Sequence, residues 1–192
     1  MFGYHGRYLR IDLYDEVWEG MYVMPSMPNN AHQELVDDLG AIFNEVIKRQ
    51  RLGKSYPGVN VSDRRKGWEH NFRVPDVVVL LNNSRAVNYG TFIYGGPDFL
   101  IEIYGPNEGP QEKMPFYEKV RVQELLLIHR DSGELILYRH NGKQLVQVLP
   151  PRGGRRSLNS EVVSLSFRRI FVKGIPRIEL RRMDGKMGQW SI

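Results

Sequence analysis

The segment that most constrains the fold of this chain is residues 77–81, five consecutive apolar residues (Val-Val-Val-Leu-Leu). Side chains of a strand point alternately to its two faces, so a strand without polar positions needs a covering layer on each side. Residues 125–128 (Leu-Leu-Leu-Ile) have the same character, and residues 98–104 form a third, mostly apolar strand. The sequence therefore predicts a sheet whose central strands are buried on both faces.

A long amphipathic helix is predicted on one face of this sheet. Leu35, Leu39, Ile42 and Val46 recur at intervals of three and four residues, which is the period of an α-helix that buries one side. The Pro- and Asn-containing segment 25–30 offers N-terminal caps. Gly53 is predicted to end the helix in a left-handed conformation.

The remaining segments complete an α/β pattern. We expect a hairpin within residues 11–24, strands at 56–61 and 72–81, and a helix over 114–120. Turn signals at residues 131–133 and 141–142 predict an antiparallel meander over 134–148. A strand over 162–167 leads to a turn at 168–171, and residues 175–192 contribute one final strand and a frayed end.

The fold class predicted is α/β, with one mixed central sheet flanked by helices and an antiparallel C-terminal meander. The chain has 192 residues and shows no internal repeat or long linker, which predicts a single domain. Its core is expected at about 20–171, with 172–192 as a C-terminal extension.

Composition excludes several classes of protein. The absence of cysteine rules out disulfides, thiolate zinc sites, iron–sulfur clusters and cysteine nucleophiles. No apolar run approaches the roughly 20 residues of a membrane helix, and the first ten residues lack the apolar core of a signal peptide. We therefore expect a soluble, cytoplasmic protein. The formal net charge of +5 favours an anionic partner without specifying it.

Two acidic residues stand inside the most apolar strands. Asp76 opens the 77–81 strand and Glu102 lies within Phe-Leu-Ile-Glu-Ile-Tyr. A buried carboxylate without a partner is costly, and a divalent cation is a natural partner for two that converge. Each residue also has a structural interpretation: Asp76 as a turn residue, and Glu102 as a residue that faces solvent or pairs with a lysine.

Lys113 is a third candidate, because it precedes Pro115 near the start of a predicted helix. A cation is unfavourable at a helix N-terminus, so the helix dipole does not explain it. A lysine that reaches two carboxylates and a phosphate would offset charge that develops during phosphoryl transfer. The alternative is a solvated lysine at the start of the helix.

These residues resemble the Pro-Asp…(Asp/Glu)-X-Lys signature of the restriction-endonuclease-like phosphodiesterases. The wider pattern resembles one branch, the Uma-two-like endonucleases, over roughly residues 20–171. The segments that carry this resemblance are Gly20, Met24-Pro25, His32, residues 73–76, 97–103, Lys113, Tyr117, Val120, Glu124 and residues 158–160. The chain departs from the branch at 104–107 (Tyr-Gly-Pro-Asn), which borders the predicted site, and at 125–131 (Leu-Leu-Leu-Ile-His-Arg-Asp).

The resemblance implies a hydrolytic endonuclease that acts on DNA with Mg²⁺ or Mn²⁺. Asp76, Glu102 and the backbone carbonyl of Ile103 would be the metal ligands, with Asp76, Glu102 and Lys113 as catalytic residues. In that branch the lysine is displaced from the strand onto the following helix, which Lys113 matches.

Further residues are weaker candidates. His32 and Glu34, at the start of the long helix, are expected to reach the site from the side or simply to be solvated. The candidate phosphate contacts are Arg64, Arg65, Lys66, Arg73, Arg152, Arg155 and Arg156. Trp68 either stacks on a base or packs locally.

Two other functions remain open. The first is a nucleic-acid-binding module that has lost catalysis. The second is a structural or partner-binding domain in which Asp76 and Glu102 pair with Arg73 and Lys113. Nucleic acid, in particular DNA, is the expected partner, no membrane is expected, and a homodimer is one assembly that the sequence leaves open.

Overall fold

The computed structural model describes residues 14–106, 108–151 and 156–192, and these form an α/β fold with three sheets. The helices are α1 (Asn30–Phe43) and α2 (Met114–Val120). The strands are β1 (Glu16–Trp18), β2 (Met21–Val23), β3 (Gly53–Pro57), β4 (Asn60–Ser62), β5 (Phe72–Arg73), β6 (Val77–Leu81), β7 (Val87–Asn88), β8 (Phe92–Tyr94), β9 (Phe99–Tyr104), β10 (Glu124–His129), β11 (Leu135–His140), β12 (Leu145–Gln147), β13 (Leu158–Asn159), β14 (Leu165–Val172), β15 (Ile175–Arg182) and β16 (Gln189–Ser191).

The central sheet has the order β12-β11-β10-β9-β6-β3. It is mixed, because β9 and β10 run parallel while the other neighbours are antiparallel. Strand β6 is covered on both faces, as its apolar sequence predicted. Val77 and Val79 belong to a core that includes α1, and Val78 and Leu80 to a second core that includes α2. The predicted α/β class, with a mixed central sheet between helices, is confirmed.

Helix α1 begins where the sequence predicted but ends earlier. The Asn29 side chain caps it by accepting the His32 backbone N–H at 3.0 Å. The helix continues as a π-helical turn over Asn44–Lys48. The prediction that Gly53 ends the helix is wrong, because Gly53 is the first residue of β3. A Cβ there would lie 2.1 Å from the backbone oxygen of Leu80, so the close strand contact requires glycine.

Two segments predicted as single strands are divided between sheets. Residues 56–61 fall in β3 and β4, and residues 72–81 in β5 and β6, with 74–76 as the connection. The second sheet has the order β2-β1-β5-β4-β8-β7. Pro75 has no N–H for a ladder hydrogen bond, which suits it to the point where the chain passes from one sheet to the next.

The C-terminal residues form a third, antiparallel sheet with the order β13-β14-β15-β16, where one sheet was predicted overall. The turn expected at 168–171 is wrong, since β14 continues through Val172 and the chain turns at Lys173 and Gly174. The region 175–192 contains two strands instead of one. Ile178 and Leu180 of β15 are buried in the core on the α1 side.

Strands β11 and β12 extend the edge of the central sheet, which is the meander predicted over 134–148. Within the described part of the chain, neither helix has the length and apolar character needed to cross a membrane.

Candidate active site and metal centre

Asp76 and Glu102 lie side by side at the end of the β6–β9 ladder. Val77 pairs with Ile101, so one further step along the two antiparallel strands brings Asp76 next to Glu102. The Oδ2 of Asp76 accepts the backbone N–H of Ile103 at 2.6 Å. Both carboxylates line one cavity of about 300 Å³. The structure therefore brings together the two acids that the sequence singled out.

Lys113 reaches this cavity from the α2 side of the sheet. It is the last residue of a short 3₁₀-helix (Pro110–Lys113) that runs directly into α2. Its Nζ lies 3.1 Å from each carboxylate oxygen of Glu102 and 2.9 Å from Oε1 of Glu16. The sequence predicted a lysine that reaches the two carboxylates of Asp76 and Glu102. Lys113 instead bridges Glu102 and Glu16, and Asp76 acts on it only through space.

Glu16 is the member of the site that the sequence did not reveal. It is 2% exposed, and its Oε1 accepts the backbone N–H of Val74 at 2.8 Å. Its Oε2 accepts the indole N–H of Trp18 at 2.7 Å. Strand β1 has only three residues, so no periodicity marks Glu16 as buried. The only signal is the placement of Glu16 and Trp18 on one face of a short strand before Gly20.

Tyr117, on α2, completes the surroundings of Glu102. Its side chain is fully buried and its hydroxyl donates a short hydrogen bond to Oε1 of Glu102. Burial and the Glu102 carboxylate raise the pKa of Tyr117 well above its ordinary value, so the phenol stays protonated. In the sequence, Tyr117 stands out only as part of the family resemblance.

The site has more carboxylates than cations. Burial raises the pKa of Glu102 to about 7; the positive charge of Lys113 opposes this shift, and the charges of Asp76 and Glu16 add to it. Burial would lower the pKa of Lys113, but the carboxylates of Glu102 and Glu16 outweigh it and raise this pKa above the ordinary lysine value. Lys113 therefore remains an ammonium at neutral pH.

His32 contacts the site from the first turn of α1. Its Nε2 lies 2.8 Å from Oδ1 of Asp76. Burial opposes protonation of His32, but the hydrogen bond and charge of Asp76 outweigh it and raise the pKa of the imidazole. The expectation that Glu34 reaches the site does not fit its placement. Glu34 is exposed and lines neither of the two cavities that Asp76 borders.

The placement of Arg73 does not fit a phosphate contact. Its side chain is buried, and its guanidinium lies 4.3 Å from the ring centroids of both Trp18 and Phe116. The Nη1 donates to the backbone oxygens of Val17 and Phe72. The structural alternative requires Arg73 to pair with Asp76, and the two residues do not pair. Arg73 therefore joins β1 and β5 to the α2 side of the fold.

The other candidate phosphate contacts that the structure describes do not line the cavity of Asp76 and Glu102. Arg64 pairs with Glu19 at 2.7 Å and Asp63 at 3.2 Å. Arg65 and Lys66 are exposed, and the Arg65 guanidinium lies 4.8 Å from the ring centroid of Tyr94. Arg152 and Arg155 lie outside the described residues, and Arg156 is exposed. Trp68 packs locally by stacking on Phe92 at 4.9 Å.

The donor chemistry of the site fits a hard divalent cation. Asp76, Glu102 and the Ile103 carbonyl offer oxygen ligands, and Mg²⁺ needs few protein ligands because it retains waters. The surplus of carboxylates around Lys113 leaves negative charge that a cation would balance. Among the described residues, no group of three or more His, Asp or Glu side chains is already arranged around a metal position. The fit of the site to a divalent cation therefore depends on the carboxylates of Asp76 and Glu102 and on the backbone carbonyl of Ile103.

Comparisons with known proteins agree with the resemblance found in the sequence. The family model Uma2, described as "Putative restriction endonuclease", matches residues 9–169. The chain is also similar to a crystal structure from Anabaena variabilis ATCC 29413, described as "a putative nuclease belonging to DUF820". That likeness has a TM-score of 0.56 and 21% identity over 71% of this chain and 80% of the other, and it establishes the fold. The comparison with curated proteins gives no match.

Proposed function

Because the chain belongs to the Uma2 family, we propose that it is a metal-dependent endonuclease that hydrolyses phosphodiester bonds in DNA. The observation that carries this proposal is the shared cavity of Asp76 and Glu102, in which carboxylates outnumber the ammonium of Lys113. Such a charge imbalance in a buried site calls for a further cation.

In this proposal Asp76, Glu102 and the carbonyl of Ile103 hold Mg²⁺ or Mn²⁺. When bound, the ion lowers the pKa of a coordinated water and neutralises charge on the scissile phosphate. The backbone N–H of Ile103 and the imidazole of His32 hold the Asp76 carboxylate from two sides, at 2.6 and 2.8 Å. His32 is thus a positioning residue for Asp76.

Lys113 contributes positive charge in this proposal. Without a metal ion, the carboxylates of Glu102 and Glu16 outweigh burial and raise its pKa, so its side chain is an ammonium at neutral pH. An ammonium beside the metal ligands would stabilise negative charge on the phosphoryl oxygens in the transition state. Glu16 and Tyr117 fix Lys113 and Glu102 in place through their hydrogen bonds.

The experiment is Mg²⁺-dependent nicking of supercoiled plasmid by the purified protein. Asp76→Asn and Glu102→Gln should each reduce the nicking rate by at least 100-fold, because each removes a charged ligand while nearly keeping its shape. Asp184→Asn is the matched control, since Asp184 is exposed and pairs with Arg182 in the C-terminal sheet. It should nick like the parent protein.

Two results would contradict the proposal. Equal nicking rates of the parent protein and of Asp76→Asn would show that Asp76 takes no part in the reaction. A parent protein that binds DNA without Mg²⁺- or Mn²⁺-dependent nicking would instead support the inactive nucleic-acid-binding module. The structural alternative requires the pairs Lys113–Glu102 and Arg73–Asp76, and the first of them is present. A folded protein with neither activity would support that alternative.

A further inference from the structure

In the cavity that holds Asp76 and Glu102, acidic side chains outnumber cationic ones. The carboxylates on its wall are Glu16, Asp76, Glu102, Glu108 and Glu112. The cationic side chains on the same wall are Lys113 and Arg130, with His32 bound to Asp76. Lys113 is already held by two carboxylates. A polyanion that enters this cavity therefore needs a cationic side chain that is not paired with one of these carboxylates.

Arg130 is placed on the wall of the cavity by the parallel strands β9 and β10. It follows the last residue of β10, and its backbone N–H donates to the oxygen of Tyr104 at 2.9 Å. That contact continues the β9–β10 ladder, whose register places Arg130 beside Gly105, three positions beyond Glu102. The side chain is only 15% exposed, so it lies against the protein rather than extending into solvent.

The Arg130 guanidinium is fixed on two sides. A Cβ on Gly105 would lie 2.9 Å from Nη2 and 3.0 Å from Nη1, so the group packs directly on the glycine backbone. Asp131, which is half exposed and outside the cavity wall, accepts from Nε at 2.7 Å and from Nη2 at 3.2 Å. Among residues 14–106, 108–151 and 156–192, none accepts a hydrogen bond from Nη1.

We propose that Arg130 binds a phosphate group of the DNA backbone in the Asp76–Glu102 cavity. This inference rests on the proposed nuclease function and adds a substrate-binding residue to it. A guanidinium has five N–H donors and a planar shape that matches phosphate oxygens, and Asp131 uses two of those donors. Asp131 is half exposed, so water weakens its pair with Arg130, and the pair orients the guanidinium without competing strongly with a phosphate.

The test is binding of a fluorescein-labelled DNA duplex, measured by anisotropy in Ca²⁺ buffer with a gel to verify that the duplex stays intact. Arg130→Gln should weaken binding about 10-fold, the loss expected for one charge-assisted contact. It should also reduce the slope of log Kd against log salt by about 0.9, the value for one phosphate contact. Arg85→Gln, which removes an exposed arginine outside both cavities, controls for net charge and should change Kd less than twofold.

A second variant tests the same inference if Arg130→Gln does not fold. Gly105→Ala keeps the charge of Arg130, and its backbone lies outside the left-handed region, but the new Cβ displaces the guanidinium. It should weaken binding by an intermediate factor. Parent-like Kd and salt slope in folded Arg130→Gln, beside a parent protein that nicks DNA, would overturn this inference alone. A parent protein that neither binds nor nicks DNA would overturn the proposed function and this inference with it.

Discussion

At the scale of single residues, Lys113 holds together a cluster in which negative charges outnumber positive ones. Its ammonium is 2.9 Å from Glu16 and 3.1 Å from Glu102, and both carboxylates are nearly inaccessible to solvent. The attraction of one cation to two buried anions offsets the cost of removing all three from water. Removal of the cation would leave two buried carboxylates facing each other.

Lys113→Met tests this account through its pH dependence. At pH 8 the variant should lose about 3–5 kcal/mol of unfolding free energy, because it leaves buried charges unpaired. Near pH 5 the loss should be smaller, since Glu102, whose pKa is about 7 even beside Lys113, is protonated and no longer needs the cation. Urea denaturation at the two pH values measures the difference. An equal loss of unfolding free energy at both pH values would show that Lys113 stabilises the fold through the packing of its side chain and not through its charge.

The chemistry of this cluster was only partly predictable. Asp76, Glu102 and Lys113 stand out in the sequence because each is polar where its neighbours predict burial or a helix start. Glu16 and Tyr117 do not, since Glu16 lies in a three-residue strand and Tyr117 occupies an ordinary core position of a short helix. Their roles arise from the contact of Glu16 with Lys113, 97 positions away, and from that of Tyr117 with Glu102, 15 positions away, which no local pattern encodes.

At the scale of secondary structure, the site depends on the break between β5 and β6. The backbone N–H of Val74 donates to Glu16 instead of to a neighbouring strand, and Pro75 has no N–H to donate. The chain is thereby free to turn Asp76 toward Ile103 and His32. The sequence predicted α2 at its observed bounds, but it did not predict this break, because the acceptor of Val74 lies in a distant strand.

The C-terminal sheet has an ion cluster of its own, centred on Glu179 in β15. The carboxylate accepts from Arg168 at 2.7 Å and from Arg181 at 3.1 Å. Burial opposes ionisation of Glu179, but the hydrogen bonds from Arg181 and Arg168 outweigh it and hold its pKa below the ordinary glutamate value. This cluster therefore stabilises the pairing of β14 with β15 as long as Glu179 is ionised.

Glu179→Gln should reduce the unfolding free energy at pH 7 by about 1–2 kcal/mol. A carboxylate with a lowered folded-state pKa stabilises fully above its unfolded pKa, and that stabilisation is lost as the pH falls through the folded value. The difference between variant and parent should accordingly shrink as the pH is lowered from 5 toward 3. Glu161→Gln, which alters an exposed pair with Arg139, is the control and should change stability by less than about 0.5 kcal/mol. A difference that stays constant with pH would contradict the ionic role.

At the scale of the whole molecule, Asp76 borders two cavities and lies where three parts of the fold meet. The 300 Å³ cavity opens on the Glu102 side, and a second cavity of about 570 Å³ runs between α1 and β3. Tyr14, His32, Val74 and Asp76 line both. The site is thus located where the central sheet, the second sheet and the start of α1 meet. The predicted strands sufficed to place the two acids in the central sheet. They did not show this junction, which depends on how residues 72–81 are divided between two sheets.

The most direct measurement is anomalous diffraction from crystals of the protein grown or soaked with Mn²⁺. We expect one strong anomalous peak in the cavity, roughly 2 Å from a carboxylate oxygen of both Asp76 and Glu102 and close to the Ile103 carbonyl. The peak should disappear in crystals of Asp76→Asn. A cavity without a peak at saturating Mn²⁺, with Lys113 still bridging Glu16 and Glu102, would contradict the assignment of these acids as metal ligands.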